Sequence, residues 1–502
     1  MKFIRRSDLT FKIRINIITE AIANMGNYGA ITQLAQTYKV SRTFIYSLIN
    51  NAIMALYLQF YSNFLPHRSS SLDKLLINKI ILLHRLEGNS SIERISNMLH
   101  YNNISPSSVG YISNCLTYYG KGVSNTLEIN SSQPILLAWL NDELFAHKNP
   151  ILVTMEPKSL AILRMQQADK RDSTTWYNHF NQITQHNFYP TNLCSDRGDG
   201  IVKASEETFN KVNFQPDIFH DIQGLFKVIN VNLQRNAYKA INHEYKCQRV
   251  LSSAVSMQVK AKRSISYDEA KEEACEAVEL YDQAHYLFGE IRQLLEFIDE
   301  NGNFRHRESV KQNILTATEL LKSLGHAELL EAAYTFDSKL DELLLYMHTA
   351  QQTHKHLSEK ITDKELLSAL CLAWRYDHKI YQNPTPIQKK YLQDMRDFTL
   401  EYSQVLADQN YNDLKEYVFC CLDNIIRASS LVETINSLIR PYLNTCKGQI
   451  TQEMLNLIMF YHNHKKFNHG KRKDKAPIEI LTGQQLQRHW LDILIDKVEN
   501  LA

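Results

Sequence analysis

The stretch of residues 191–201, with the sequence TNLCSDRGDGI, constrains the fold of this chain more than any other. It predicts a short apolar strand that ends at Asp196, followed by a turn with two glycines and the start of a helix. In α/β proteins, ligands bind beside the carboxyl ends of strands. Asp196 is therefore a candidate site residue. Asp142 upstream and Glu433 downstream are acids that suit the same site.

Five strands are predicted around this stretch. They lie at residues 134–140, 150–155, 160–164, 193–195 and 217–219, with a helix at 174–184 between the third and the fourth. The order strand-strand-strand-helix-strand-helix-strand is that of an RNase H-like fold, which has a mixed five-stranded sheet. In this order Asp142 lies at the end of the first strand and Asp196 at the end of the fourth. Because these strands are neighbours in such a sheet, the two carboxylates can meet.

The middle of the chain shows no strand pattern. Long amphipathic helices fill residues 228–427, and we interpret this region as one all-helical insertion. A coiled-coil partner surface is the alternative, although no heptad pattern is sustained. Its acidic segment at 266–285, with seven acids against one lysine, is expected to face away from DNA. Trp374 is either a core residue or a stacking platform for an unpaired base.

A helix is predicted to follow the insertion. Residues 429–440 place Glu433, Asn436 and Arg440 at spacings i, i+3 and i+7, on one helical face. Such a polar stripe is usually a solvated face, but its position after the insertion also fits a third acid of the site. Glu401 and Glu416 are rival third acids without comparable Asn and Arg neighbours.

The N-terminal region predicts DNA binding. Residues 30–49 form a helix-turn-helix pattern, in which Arg42 and Thr43 begin the second helix, where base edges and phosphates are contacted. An ordinary helical hairpin is the alternative. The preceding helix carries Phe11, Ile15, Ile18 and Ile22 at helical spacing, which predicts its apolar face. A second, less basic copy of the motif is predicted at residues 72–116.

Charge is concentrated at the two ends of the chain. Residues 1–50 carry seven basic and two acidic side chains, and residues 461–475 carry six basic and one acidic. Basic ends suggest a polyanionic partner, although solvated surface patches would show the same pattern. The tail mixes aromatic and basic residues, as nucleic-acid contacts do. Its candidate contacts are Lys465, Lys466, Lys471, Arg472 and Lys473.

The totals indicate a cytoplasmic protein of several domains. A chain of 502 residues is too long for one ordinary core. The sequence has no run of 18 apolar residues and no secretory signal at its start, so neither a membrane span nor a membrane partner is expected. The eight cysteines form no C-x-x-C pair and predict buried, reduced thiols rather than a zinc site.

Several motifs together resemble those of a bacterial insertion-sequence transposase of the DDE class. They are the acid pair at 142–143, SDRG at 195–198, VETIN at 432–436 and the basic tail ending in APIEIL at 476–481. The sequence DIFH at 217–220 resembles a (Cys/Asp)-x-x-His signature of several transposase groups. The second and third acids are 237 positions apart, far more than in compact family members. The chain fits those members that carry a helical insertion.

The resemblance implies a metal-dependent DNA-cutting and DNA-joining enzyme. Asp142, Asp196 and Glu433 would hold two Mg²⁺ ions, for which Mn²⁺ can substitute, with Asp196 bridging both. Arg440 and Asn436 would contact DNA. His220 would orient the scissile phosphate or a metal-bound water, or else cap a helix. The partners would be double-stranded DNA, both terminal inverted repeats and target, and further copies of the chain. In the cell, nucleoid association is expected.

The resemblance also divides the chain into five predicted segments. The N-terminal helix-turn-helix domain spans 1–66, a second helical domain 67–128, the first part of the catalytic core 129–227, the all-helical insertion 228–427, and the last helices with the tail 428–502. The chain is expected to be mostly helical. The alternative functions are a transposase-derived DNA-binding protein without catalysis and an RNase H-like nuclease such as a junction resolvase.

Overall fold

The computed structural model describes residues 8–64, 73–129, 131, 133–147, 149–209, 212–382, 384–407, 410–428 and 431–500. The protein is 67% helical and has one five-stranded mixed sheet. It divides into two compact units, Met1–Ile77 with Leu99–Pro106 and Asn78–Met98 with Ser107–Ala502. The predicted domain boundaries stay predictions.

The first unit contains three N-terminal helices, α1 (Phe11–Ala23), α2 (Ala30–Thr37) and α3 (Arg42–Phe64). Its core consists of buried residues from all three helices: Ile17, Ala21, Leu34, Ile45 and Ile49. The predicted apolar face of α1 is packed only in part: Ile22 packs against this core, whereas Phe11 is 80% exposed and the buried residues are Ile17 and Ala21. Five isoleucines in 13 residues make the helix apolar on several sides, so spacing alone does not identify the packed face.

The sheet lies in the second unit and has the order β3-β2-β1-β4-β5. Its strands are β1 (Ile135–Ala146), β2 (Asn149–Met155), β3 (Ile162–Gln167), β4 (Phe188–Ser195) and β5 (Asn213–Pro216). Strand β2 pairs antiparallel with both β1 and β3, whereas β4 pairs parallel with both β1 and β5. The predicted order of strands and helices is confirmed, and β1 and β4 are neighbours, as expected.

Two predicted strand positions are wrong. Strand β1 does not end at Asp142 but continues to Ala146, because its antiparallel ladder with β2 extends to the pair Ala146–Asn149. The fifth strand is not 217–219. Asp217 instead caps a helix, and its side chain accepts a hydrogen bond from the backbone of Phe219. Aspartate favours the N-terminal cap of a helix over a strand, and this preference was overlooked.

Helices cover both faces and one edge of the sheet. Trp176 and Phe180 of α7 (Ser173–Thr184) are fully buried, and Phe180 contacts Trp139 of β1 with ring centroids 6.0 Å apart. On the edge strand β3, Asn463 of α19 (Gln452–His464) both accepts from and donates to the backbone of Ile162, at 2.9 Å each. These bonds satisfy an otherwise unpaired sheet edge.

The remaining helices precede or follow the insertion in sequence. They are α4 (Lys74–Leu86), α5 (Ile92–Tyr101), α6 (Val109–Lys121), α8 (Asp199–Thr208), α9 (Ile218–Lys227), α18 (Val432–Thr445), α20 (Pro477–Thr482) and α21 (Trp490–Glu499).

Among the described residues of 228–427, the regular elements are all helices, joined by short turns. A π-helix (Val228–Leu233) leads into α10 (Gln234–Ser252), α11 (Met257–Leu294), α12 (Arg307–Ser323), α13 (Ala327–Leu343), α14 (Tyr346–Lys360), α15 (Lys364–Ile380), α16 (Pro386–Ala407) and α17 (Tyr411–Asp423). Buried residues of α9, the π-helix, the C-terminal part of α11, α12 to α15 and α17 form one core. Trp374 belongs to that core: it is 5% exposed, and its indole nitrogen donates to Asp423 at 2.7 Å. The core alternative for Trp374 is therefore favoured over the stacking one.

A partly buried ion pair lies at the end of the helical region, where the backbone of Arg427 also bonds to α9. Arg427 donates to both carboxylate oxygens of Glu296 at 3.0 Å and to the carbonyl of Leu295, while its own carbonyl accepts from the backbone of Ile218. Burial opposes ionisation of Glu296, but the Arg427 guanidinium outweighs it and holds the pKa of Glu296 below its ordinary value. The pair therefore contributes stability above the unfolded pKa of Glu296 and loses it as pH falls through the folded pKa.

Replacing Arg427 with Met is expected to lower the free energy of unfolding by about 2 kcal/mol at neutral pH. Denaturant titrations at several pH values would measure the difference from the wild type, which should shrink as Glu296 becomes protonated at acidic pH. The control is Arg305→Met, since Arg305 pairs with the mostly exposed Glu300 and should matter less. A difference that stays constant with pH would contradict the role given to the pair.

No helix among the described residues is long and apolar enough to cross a membrane.

Candidate active site

Three acids from different parts of the chain line one pocket of the second unit, with a volume of about 730 Å³. Asp142 lies within β1, Asp196 directly follows β4, and Glu433 lies in the first turn of α18. The parallel pairing of β1 with β4 brings the first two together, although their positions are 54 residues apart in sequence. The other lining residues are Glu143, Leu144, Phe145, His220, Asn436, Arg440, Leu443, Asn444, Lys447 and Gly448.

Asp142 is held by two hydrogen bonds. Its Oδ2 accepts from Nδ2 of Asn436 at 2.7 Å, and its Oδ1 accepts from the backbone N–H of Glu143 at 2.8 Å. Burial raises the pKa of Asp142. The two hydrogen bonds oppose this effect, whereas the charges of Asp196 and Glu433 add to it. The three carboxylates thus interact electrostatically across the pocket.

The turn after β4 fixes Asp196. Its Oδ1 accepts from the backbone N–H of Gly198 at 3.2 Å. The next residue, Arg197, binds the buried Asp221 with its guanidinium at 2.9 Å and also contacts Glu342. Arg197 is therefore engaged by helices α9 and α13. Asp196 lines the pocket, whereas Arg197 does not.

The polar face of α18 lines the pocket as predicted from spacing. Asn436 is 2% exposed, and its Oδ1 is buried without a hydrogen-bond partner among the described residues. Arg440 contacts Glu433 at 3.3 Å, and both side chains are more than half exposed. The predicted helix ends at Arg440. The prediction therefore misses Asn444 and Lys447, which also line the pocket.

His220 lies between the pocket and the residue that caps α9. It lines the pocket, and its Nδ1 lies 2.9 Å from Oδ2 of Asp217, the residue that caps α9. The hydrogen bond with Asp217 raises the pKa of His220. Burial works against this rise, while the charges of Asp217, Asp196 and Asp142 add to it. The cationic imidazolium form is thereby favoured, and it suits a phosphate contact.

Two further pocket residues were not singled out as site residues from the sequence. Glu143 accepts from the indole nitrogen of Trp176 at 2.9 Å and pairs with Arg171 at 3.2 Å, so its carboxylate is held in place by α7 and the loop before it. Phe145 is 49% exposed at the pocket and carries Arg171 over its ring at 5.6 Å. Strand β1 continues beyond Asp142, with buried residues at 144 and 146 alternating with the more exposed 143 and 145. Recognising this continuation would have pointed to Glu143 and Phe145.

The donors in the pocket suit a divalent cation. Carboxylate oxygens are the hard ligands that Mg²⁺ prefers. Burial raises the pKa of Asp142, and a cation would relieve the repulsion from Asp196 and Glu433 that adds to this rise. Among the described residues, no three His, Cys, Asp or Glu side chains form a group that could hold one ion. Two ions, each held by a pair of carboxylates, would not need such a group.

Of the predicted DNA contacts, His220, Asn436 and Arg440 line the pocket, whereas the others lie outside it. Arg42 and Thr43 are exposed at the start of α3 in the first unit. Most of the basic tail is engaged within the chain. Lys465 contacts the hydroxyl of Tyr461, Lys466 pairs with Glu479 and Lys471 with Asp377, while Arg472 donates to the carbonyls of Pro157 and Lys158. Lys473 makes no ion pair with a described residue.

Comparisons with known proteins give little further guidance. No protein-family model matches the chain, and no curated protein matches it. A solved structure similar to it is the Drosophila P element transposase strand transfer complex, at 13% identity. The match covers 69% of this chain and 98% of that chain, with a TM-score of 0.29. This score does not establish a shared fold.

Proposed function

We propose that this chain is a DDE-class transposase, of the kind encoded by bacterial insertion sequences, that cuts and joins DNA strands by metal-dependent phosphoryl transfer. The observation that carries the proposal is the shared pocket of Asp142, Asp196 and Glu433. The strand order β3-β2-β1-β4-β5, with β2 antiparallel to β1, supports an RNase H-like assignment of the sheet. In that assignment the helices after α9 form the insertion before the third acid.

The carboxylates are the proposed metal ligands. Asp142, Asp196 and Glu433 would together hold the Mg²⁺ or Mn²⁺ ions. Bound there, the ions would supply activation of the attacking oxygen and stabilisation of the leaving oxygen. The chain itself keeps Asp142 in position through Asn436 and the backbone of Glu143. Fixed ligands of this kind reduce the reorganisation needed during the reaction.

The cations around the acids are the proposed phosphate contacts. Arg440 lies in α18, Lys447 directly after its C-terminal end and His220 in α9, and all three line the pocket of the acids. A guanidinium can bind two phosphate oxygens at once, which orients a phosphodiester as well as attracting it. Arg440 contacts Glu433 at 3.3 Å, and a bound phosphate would compete for that guanidinium.

Sequence recognition is assigned to the first unit. The turn between α2 and α3 leaves Arg42 and Thr43 exposed at the N-terminal end of α3, as a recognition helix requires. Lys473 in the tail is a further candidate for phosphate contact. Because phosphate contacts release counterions, DNA affinity should fall steeply as salt is added.

The proposal is tested with the purified chain and a plasmid that carries its coding region with flanking DNA. We expect nicked and joined products with Mg²⁺ or Mn²⁺ and none with EDTA, while DNA binding persists in EDTA. Binding without cleavage in either metal would favour a DNA-binding protein that has lost catalysis. Cleavage of branched junctions without regard to the flanking sequence would favour an RNase H-like nuclease.

A further inference from the structure

Helices α10 and α11 form an antiparallel hairpin that lies outside the core of the helical region. Arg263 of α11 donates to the carbonyl of Val250 in α10 at 2.7 Å, and His243 of α10 lies 3.4 Å from Glu273 of α11. The core of the helical region includes residues as far as Leu233 and residues from Ala284 onward. It includes none of the buried residues between these two positions. Along α10 alone the hairpin extends about 28 Å, at about 1.5 Å per residue.

The charges of this hairpin are separated along its length. The tip, residues 246–263, carries five basic side chains and no acid. The shaft of α11, residues 266–285, carries seven acids and one lysine. Glu272, Glu276 and Glu279 are exposed at spacings i, i+4 and i+7, so they form one stripe along the outer face.

Six of these charges make no ion pair with a residue that the structure describes. Neither the tip cations Arg249, Lys260 and Lys262 nor the three shaft glutamates make an ion pair with a described residue, and all six are exposed. Exposed charges of one sign in a stripe repel each other, so an uncompensated stripe opposes helix formation. An external partner that carries the opposite charges would remove that cost.

Large apolar side chains are exposed on the same hairpin. Tyr238, Ile241 and Tyr245 lie on one stripe of α10 and are 68%, 45% and 65% exposed. At the tip, Val255 and Met257 are almost fully exposed. A contiguous apolar surface of this kind is typical of an interaction site rather than of a free surface.

We propose that two copies of this chain associate through their α10–α11 hairpins, packed antiparallel, with the basic tip of each copy on the acidic shaft of the other. A two-fold axis requires a self-complementary surface, and the opposite charges at the tip and along the shaft of one hairpin provide it twice per dimer. Packing would also cover the apolar stripe of α10. The inference does not depend on the catalytic assignment.

DNA fits the hairpin less well than a second copy does. Phosphates would attract the tip but would be repelled by the shaft, and they would leave the apolar stripe uncovered. A second copy accounts for the tip, the shaft and the apolar stripe together. Because the charge pairs are near the surface, the association should weaken as salt is added.

The test uses charge reversal in the full chain, measured by sedimentation equilibrium. The tip variant carries R249E, K260E and K262E, and the shaft variant carries E272K, E276K and E279K. Each alone should dimerise at least 10-fold more weakly than wild type, because like charges then meet. An equimolar mixture should form heterodimers of wild-type affinity, and a variant with all six changes should dimerise by itself.

A matched control separates this effect from net charge and folding. The variant K364E, K389E and K390E makes the same charge change on exposed residues of α15 and α16, and it should dimerise as the wild type does. Far-ultraviolet circular dichroism should show equal helix content throughout. A monomeric wild type, wild-type dimerisation of either triple variant, or failure of the mixture to restore association would each overturn the proposal. A tip variant that loses affinity for a DNA duplex but still dimerises would assign the tip to DNA instead.

Discussion

Replacing Asp196 with Asn is expected to reduce metal-dependent DNA cleavage by about three orders of magnitude or more. Asn has nearly the same size as Asp but carries no negative charge, so it cannot bridge two cations. The turn that presents residue 196 should survive, because the hydrogen bond from Gly198 needs only an oxygen acceptor. DNA affinity should therefore stay within a few-fold of the wild-type value. The measurement is the single-turnover rate of strand cleavage with saturating DNA in Mg²⁺ and in Mn²⁺.

Asp199 provides the matched control for this variant. It is an acid three residues further on, it begins α8, and it lies outside the pocket of the three acids. Asp199→Asn should keep cleavage within a few-fold of wild type. Asp142→Asn and Glu433→Gln should resemble Asp196→Asn. If Asp196→Asn cleaves normally, or if Asp199→Asn is equally inactive, the assignment of the metal ligands is wrong.

Much of the sheet and its acids could be predicted from sequence because the signals are local. An apolar run followed by an acid and glycines indicates the end of a strand, and the order of such runs limits the topology. The juxtaposition of Asp142 and Asp196 then follows from parallel pairing of β1 with β4. The same logic failed at Asp217, where a capping preference competed with an apolar neighbour.

Helix ends were harder to predict because tertiary contacts decide them. Pro441 lacks an N–H group and usually disrupts a helix, so the sequence suggested that the helix of Glu433 ends near it. In the structure α18 continues through Pro441, with Tyr442 and Leu443 buried behind it. The hydroxyl of Tyr442 donates to the carbonyl of Leu86, and burial there stabilises the last turn. Lys447 enters the pocket as a consequence.

Charge counts predicted partners only in part, because they do not reveal which charges are already paired. Of the tail cations, Lys466 and Lys471 bind acids of the same chain and Arg472 binds carbonyls that follow β2. The acidic segment of α11 looked like a region that merely avoids DNA. Its exposure next to a basic tip indicates a surface that can complement itself, which a count over the whole chain conceals.

Replacing Asn436 with Ala is expected to slow cleavage by about 10- to 100-fold, the usual cost of losing a residue that orients a metal ligand. The amide of Asn436 holds Oδ2 of Asp142 at 2.7 Å in a mostly buried position. Without it, Asp142 loses a hydrogen bond that favours its charged form and can rotate away from the pocket. The Mg²⁺ concentration for half-maximal cleavage should therefore rise, whereas DNA affinity should change little.

Asn444 supplies the comparison, since it lies on the same face of α18 and lines the same pocket but makes no side-chain hydrogen bond to Asp142 among the described residues. Asn444→Ala should leave the Mg²⁺ requirement at the wild-type value. Asn436→Asp should be at least as slow as Asn436→Ala, because a carboxylate beside Asp142 adds like charge and removes the donor. A wild-type rate and Mg²⁺ requirement in Asn436→Ala would show that Asp142 is held in place without this amide. Equal loss in both alanine variants would point instead to a general role of the α18 face in binding DNA.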